Sequence, residues 1–194
     1  MNDVNLWLER AACWRFGSLL FQEPAAPRTA ELQALVPSLP AVHRAEAAAL
    51  AGEQGVRSER YYSVLGPCGC PAAESSYDRA AMANRGPLIA EVSAFYEAFA
   101  YPPRLTADLV PDHVAIELDF LGFLALKIAF ALHEAEDDDR DIAGKAFFEF
   151  LKNHPGYWMD ALRDRLHAAG DDTFARAATW VCQVIADAET AAHA

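Results

Sequence analysis

Pro111-Asp112-His113-Val114-Ala115-Ile116-Glu117-Leu118-Asp119-Phe120-Leu121 is the stretch on which the reading of the fold turns. Pro111 biases Val110 towards extended backbone and Asp112 is a good N-cap, so a helix is expected to begin there. From Val114 to Leu132 the residues are apolar almost all the way round, with Glu117, Asp119 and Lys127 as the main interruptions. A helix apolar on every face belongs at the centre of a bundle. The same residues argue against a membrane span, because each charge in hydrocarbon costs roughly 2.5–3.5 kcal/mol on insertion scales.

Working outward, Leu6 to Phe21 carries a broad apolar stripe at helical spacing, and Pro24 and Pro27 are expected to end it. An alanine-rich region follows, with Glu31–Leu35 and Ala41–Ala51 as helical patterns around a break at Pro37 to Pro40, then a turn at Gly52-Glu53-Gln54-Gly55. Arg57 to Leu65 reads as a short helix or an extended approach to Gly66-Pro67-Cys68-Gly69-Cys70-Pro71, which cannot be the interior of a helix or strand. Ser76 to Asn84 forms a short helix, and Pro87 opens Leu88 to Phe99. Tyr101 to Val110 is the long connector of the chain. Beyond the central helix, the acidic run from Glu134 to Asp141 reads as a solvated linker and helix start. Ile142–Leu151, Tyr157–Ala168 and Asp172–Ala192 complete the set. Little alternates with period two, so the fold class is all-α: a single helical domain over 1–194, with helical parts 1–100 and 114–194 and a hinge at 101–113.

The balance of 16 basic against 28 acidic residues, a formal charge of −12, disfavours nucleic acid as the main partner and suits a basic ligand or peptide. No basic segment followed by a short apolar one stands at the N-terminus, so no secretion signal is expected. Four cysteines are then read as reduced thiols in the cytoplasm, with Cys13 and Cys182 as small core residues.

Cys68-Gly69-Cys70 is the obvious metal or redox suspect, but zinc wants a second Cys/His pair and none stands elsewhere, so a plain loop is the expectation. His113 and Glu117, four apart, share a helical face, the geometry of two ligands or of a base with its orienting carboxylate. No third partner lies nearby in sequence, and no nucleophile motif, phosphate-cradling loop or dinucleotide fingerprint is present. The bland account has Asp112 capping the helix and Glu117 semi-buried and satisfied. The alternative is a small metal- or nucleotide-dependent enzyme using Asp112, His113 and Glu117.

The opening stretch resembles the signature of the TorD/DmsD/NarJ chaperones, the redox-enzyme maturation proteins. The likeness extends along the chain in the family's order. Tyr62 to Pro67 with Glu74-Ser75 resembles its aromatic, Gly-Pro and Glu-Ser segment; Gly86-Pro87-Leu88 with Phe95-Tyr96 and Phe99 resembles the next helix; Phe150-Leu151, His154 and Trp158 resemble its Phe-Leu, His and Trp segment. The resemblance implies a non-enzymatic cytoplasmic chaperone without cofactor, monomer or homodimer. Such a protein binds the twin-arginine signal peptide or apo catalytic subunit of a molybdenum-cofactor oxidoreductase and delays export until the cofactor is inserted. It implies client-binding roles for Asp112 and His113 first, with Pro111 and Glu117 alongside and Tyr62, Glu74, Ser75 and Tyr77 in the preceding segment. Two positions depart from the pattern: Ala73 stands where many relatives have an aromatic residue, and Pro111 directly precedes Asp112. The Cys68-Gly69-Cys70 insertion has no counterpart there.

Overall fold

The computed structural model describes residues 3–66, 68–103 and 109–192. Ten α-helices run through them in the order α1 (Asp3–Leu20), α2 (Ala26–Leu35), α3 (Ala41–Gly52), α4 (Gln54–Leu65), α5 (Arg79–Ala83), α6 (Gly86–Ala98), α7 (Val114–Glu134), α8 (Asp137–Asn153), α9 (Pro155–Ala168) and α10 (Asp172–Ala192). Single 3-10 turns occupy Val36–Ser38 and Glu74–Ser76. Among the described residues there is no strand, only an isolated antiparallel bridge between Ala73 and His113. The architecture is an all-α bundle.

The α7 helix packs most extensively on α1 and next on α8, while α9 and α10 pair with each other and α10 reaches back to α1, α3 and α4. One hydrophobic cluster joins them, with Trp14, Phe16, Leu19 and Leu20 of α1 meeting Leu118, Phe120, Leu121 and Leu124 of α7, Phe147 and Phe150 of α8 and Trp180 of α10. The crossing depends on Gly17. A Cβ there would lie 3.2 Å from Val181 Cγ2 and 3.3 Å from Leu118 Cδ1, so α1 fits between α7 and α10 because that position has no side chain. The Arg15 guanidinium binds Glu31 at 2.6 Å and Asp119 at 2.7 Å, and the Tyr101 hydroxyl donates to the other Asp119 oxygen at 2.7 Å. That network accounts for the one acidic residue between Glu117 and the apolar run.

Several expectations are corrected. The central helix begins at Val114, not Asp112, and its N-cap is His113, whose Nδ1 accepts from the Ala115 N–H at 3.1 Å. Asp112 is drawn elsewhere by two better donors. Pro27 opens α2 rather than closing α1, since its fixed φ and missing N–H suit a first helical turn. The acidic run after Glu134 is mostly helix: Asp137, Asp138 and Asp139 form the first turn of α8, where carboxylates oppose the positive end of the dipole. Arg57 to Leu65 is helical, within α4. The α7 helix is not covered on every side, for Leu126, Lys127 and Phe130 are exposed where α1 and α8 diverge from it. The expected loop at Pro67, and 104–108 of the expected connector, lie outside the described residues. Among the described residues no helix is long and apolar enough to cross a membrane.

Candidate functional site

The residues singled out around Asp112 converge, with most of those from the Glu-Ser segment, on a buried latch at the start of α7. The chain from Ala72 to Ser75 runs beside Asp112 to Val114: the Glu74 N–H donates to the Asp112 carbonyl at 2.9 Å and the Val114 N–H to the Ala72 carbonyl at 2.8 Å. The Asp112 carboxylate, fully buried, accepts from the Ser75 N–H at 3.0 Å and from the Arg85 guanidinium at 3.3 Å. Arg85 itself is half exposed, so the one cation on this carboxylate reaches it from the surface. The Tyr96 hydroxyl donates to the Pro111 carbonyl at 2.9 Å, and the Ser18 hydroxyl to the Ala115 carbonyl at 2.7 Å. Four segments far apart in sequence are thereby pinned to one helix start.

Below Asp112 lies a chain of buried polar groups that the sequence does not assemble. Glu117 Oε2 accepts from Trp158 Nε1 at 3.0 Å, and Glu74 Oε2 lies 2.9 Å from His154 Nδ1. The Glu74 carboxylate is close enough to Glu117 to act on its titration. Two ionised carboxylates cannot donate to each other, and Glu117 Oε1 then has no donor. A proton on Glu117 supplies one. Burial first, and the Glu74 carboxylate second, push the Glu117 carboxyl well above its ordinary value, which favours its protonated form.

His113 is buried and held neutral. Burial pulls its imidazole down to about 4, against a smaller upward pull from Asp112, which leaves Nδ1 free to accept as the helix cap. Tyr77 stacks on Trp158, ring centroids 5.2 Å apart, with the Arg165 guanidinium 5.9 Å from its face; burial pushes its hydroxyl up. Tyr62 belongs to a different aromatic pair, exposed on α4 with its ring edge-on to Tyr61 at 5.2 Å.

Pro111, Asp112, His113, Glu117, Glu74 and Ser75 thus share one structure, Tyr77 borders it through Trp158, and Tyr62 does not join it by any ring stacking of that kind. Arg85, Tyr96, His154 and Trp158 are latch residues that sequence reasoning did not assign to the site. Tyr96, His154 and Trp158 carried a signal, their places within the resemblance; Arg85 carried none. Cys68 is exposed and Cys70 buried, both as free thiols. Among the described residues no group of three or more His, Cys, Asp or Glu is arranged to hold a metal ion. Asp112, His113 and Glu117 Oε2 are engaged in holding the fold, which is the chemistry of a clamp.

The family model described as nitrate reductase delta subunit matches residues 24–164, a span that contains every latch residue but Ser18. The chain belongs to that family. It is the NarJ/TorD-type chaperone family that the opening signature resembles. Among curated proteins the chain is 31% identical over 93 residues to the chlorate reductase assembly chaperone protein of Ideonella dechloratans, covering 48% of this chain and 47% of that one. It is 34% identical over 97 residues to the selenate reductase assembly chaperone protein of Thauera selenatis, again 48% and 47%. The matches span about half the length of these relatives.

Proposed function

We propose that this protein is a cytoplasmic, system-specific assembly chaperone that binds the twin-arginine leader or the apo catalytic subunit of a molybdenum-cofactor oxidoreductase and delays its export until the cofactor is inserted. The observation that carries this reading is family membership over 24–164, joined to two relatives whose names state reductase assembly. The chemistry of the hinge supports it. A leader offers paired guanidinium groups followed by an apolar stretch, and guanidinium–carboxylate pairing gives orientation while apolar burial gives most of the affinity.

Asp112 is the hinge carboxylate, and Arg85 is its cation in the free protein. A leader arginine engages Asp112 by exchanging with Arg85, whose side chain is half exposed and free to swing into solvent. Binding therefore competes with an internal ion pair. The test is binding of a labelled twin-arginine leader peptide and co-purification of an apo molybdoenzyme catalytic subunit. Changing Asp112 and His113 together to alanine is expected to weaken both, and Arg85→Ala to tighten peptide binding by removing the competitor. Unchanged affinity in the double variant, with its helical content retained at the assay temperature, would refute the hinge assignment. Failure of the wild-type protein to hold any such subunit would refute the chaperone reading itself.

A further inference from the structure

Cys68-Gly69-Cys70 is a motif that the chaperone reading leaves without a role, and the structure sets its two thiols on opposite sides of one turn. Cys68 is exposed, whereas Cys70 is 3% exposed and belongs to the hydrophobic core. The chain bends at Gly69, which is pressed against the end of α4: a Cβ there would stand 2.2 Å from the Val64 carbonyl oxygen and 2.9 Å from that of Ser63. The Gly69 N–H donates to the Gly66 carbonyl at 2.9 Å, and the Cys70 N–H to the Val64 carbonyl at 2.7 Å. Cα atoms two residues apart stand no more than roughly 7 Å from each other, close to the roughly 4.4–6.8 Å span of a disulfide. Turning Cys70 out of the core therefore brings the sulfurs together without moving α4.

The two cysteines within the helices make poor reactants. Burial above all pushes the thiols of Cys13 and Cys182 up to about 12, where the nucleophilic thiolate is scarce. An exposed cysteine with a second thiol beside it is the arrangement that reversible oxidation needs, since the first sulfur meets the oxidant and the second resolves it.

Two routes lead from this turn to the start of α7. Along the backbone, Cys70 is two residues from Ala72, whose carbonyl accepts the Val114 N–H. Through side chains, the exposed Arg165 of α9 donates to the Gly69 carbonyl at 2.8 Å and lies 5.9 Å from the Tyr77 ring. Tyr77 stacks on Trp158, which donates to Glu117. Cys70 itself lies near enough to Tyr77 to act on its titration.

We propose that Cys68 and Cys70 form a reversible redox site, oxidised by a hydroperoxide to a disulfide within the turn, and that closing this bond loosens the latch at the start of α7. The Cys68 sulfur bonds one peroxide oxygen, the O–O bond breaks, and the departing oxygen takes the Cys68 proton and leaves as water or an alcohol. The Cys70 sulfur then attacks the resulting sulfenic acid: the S–S bond forms, the S–O bond breaks, and the hydroxyl leaves as water with the Cys70 proton. Two electrons pass from the two sulfurs to the hydroperoxide, and a dithiol reductant restores both thiols by exchange. Bonding to its exposed neighbour draws the Cys70 sulfur out of the core and turns the Gly69 carbonyl away from Arg165. The site needs no client in order to act.

The experiment treats the full chain with hydrogen peroxide in slight molar excess, counts free thiols with a chromogenic disulfide, and maps the bond by peptide mass spectrometry. Wild type is expected to lose two of its four thiols, both within 68–70, with the intact mass falling by about 2 Da and recovering on addition of dithiothreitol. Cys68→Ser, at an exposed position, and Cys70→Ala, which keeps a small apolar side chain, are expected to form no such bond. Hydrogen exchange reads the latch. The peptide around Val114 is expected to exchange at least about tenfold faster in oxidised wild type while peptides of α10 keep their rates, and peroxide is expected to leave Cys68→Ser unchanged. Retention of all the thiols, further oxidation of Cys68 without a bond to Cys70, or a disulfide between two molecules overturns the site. A mapped Cys68–Cys70 bond with unchanged exchange at Val114, or with equal acceleration throughout α10, overturns the coupling to the latch. Leader-peptide binding by the reduced protein tests the proposed function separately, and its failure leaves both readouts standing.

Discussion

At the scale of single residues, two buried titrations of opposite sign sit four positions apart. Glu117 has a folded-state value raised above the unfolded one, so the folded state holds the extra proton and stability falls as pH rises through the range above about 4.5. Glu117→Gln keeps an acceptor for Trp158 and supplies a permanent donor to Glu74. It is expected to be roughly 1 kcal/mol or more stabilising at about pH 8 and close to neutral near pH 5, read from denaturant midpoints at each pH. Parallel curves for the two proteins would dispose of the raised Glu117 titration. His113 runs the other way. Its folded value of about 4 lies below the unfolded 6.5, so stability is intact above about 6.5 and is lost as pH falls towards 4, by no more than about 3 kcal/mol. His113→Asn retains a capping acceptor but cannot titrate, and its acid-side slope should be flatter than that of wild type over that interval. The roles of these residues were only half visible beforehand. Asp112 was legible as a carboxylate at a helix start, but its donors come from Ser75 and Arg85, and the partners of Glu117 and Glu74 lie 41 and 80 positions away. No local pattern encodes such a pairing.

At the scale of elements, periodicity and breakers located the helices well because those signals are local. Pro87 opens its helix as expected, and α9 and α10 end and begin as their patterns indicate. Pro27 opens α2 although its sequence context suits the end of α1 equally, because a proline marks both the end of one helix and the start of the next and only the chain's path distinguishes them. The open face of α7 was invisible for a different reason. Its apolar composition says how much surface wants cover, whereas the number of neighbours that arrive is a tertiary fact. Two helix glycines make the same distinction testable. Gly17 sits at the α1 crossing, where a Cβ would stand only 3.2 Å from Val181 Cγ2, while Gly144 in α8 has nothing within 4 Å of that position. Gly17→Val is expected to destabilise by about 1–3 kcal/mol through overpacking, and Gly144→Ala to stabilise by about 0.5–1 kcal/mol through helix propensity. Thermal denaturation of both variants decides it. A tolerated Gly17→Val would mean that α1 does not pass so closely between α7 and α10.

At the scale of the molecule, a chain divided in sequence at a hinge need not be divided in its core. The deepest interface joins α1, from the part before the hinge, to α7 after it, and Arg176 of α10 reaches Glu46 of α3 at 2.7 Å. The latch adds backbone hydrogen bonds between 72–74 and 112–114. Two independently stable halves would each need an apolar core of their own, yet Trp14, Phe16 and Leu20 find their partners on α7, α8 and α10. Unfolding is therefore expected to be one cooperative transition, with circular dichroism and tryptophan fluorescence giving coincident denaturant midpoints and the calorimetric and van't Hoff enthalpies agreeing. Weakening the latch by Asp112→Ala should lower that single midpoint without splitting it, because the core between α1 and α7 still couples the two sides. Two resolved transitions in the wild-type protein, or a variant in which 1–100 melts before α7 to α10, would show that the hinge separates folding units. In that event opening the hinge to a client would cost little. With one core spanning it, the exchange proposed at Asp112 is expected to be a local opening of the latch, confined to Arg85 and the segment from Ala72 to Ser75, while α7 stays in place.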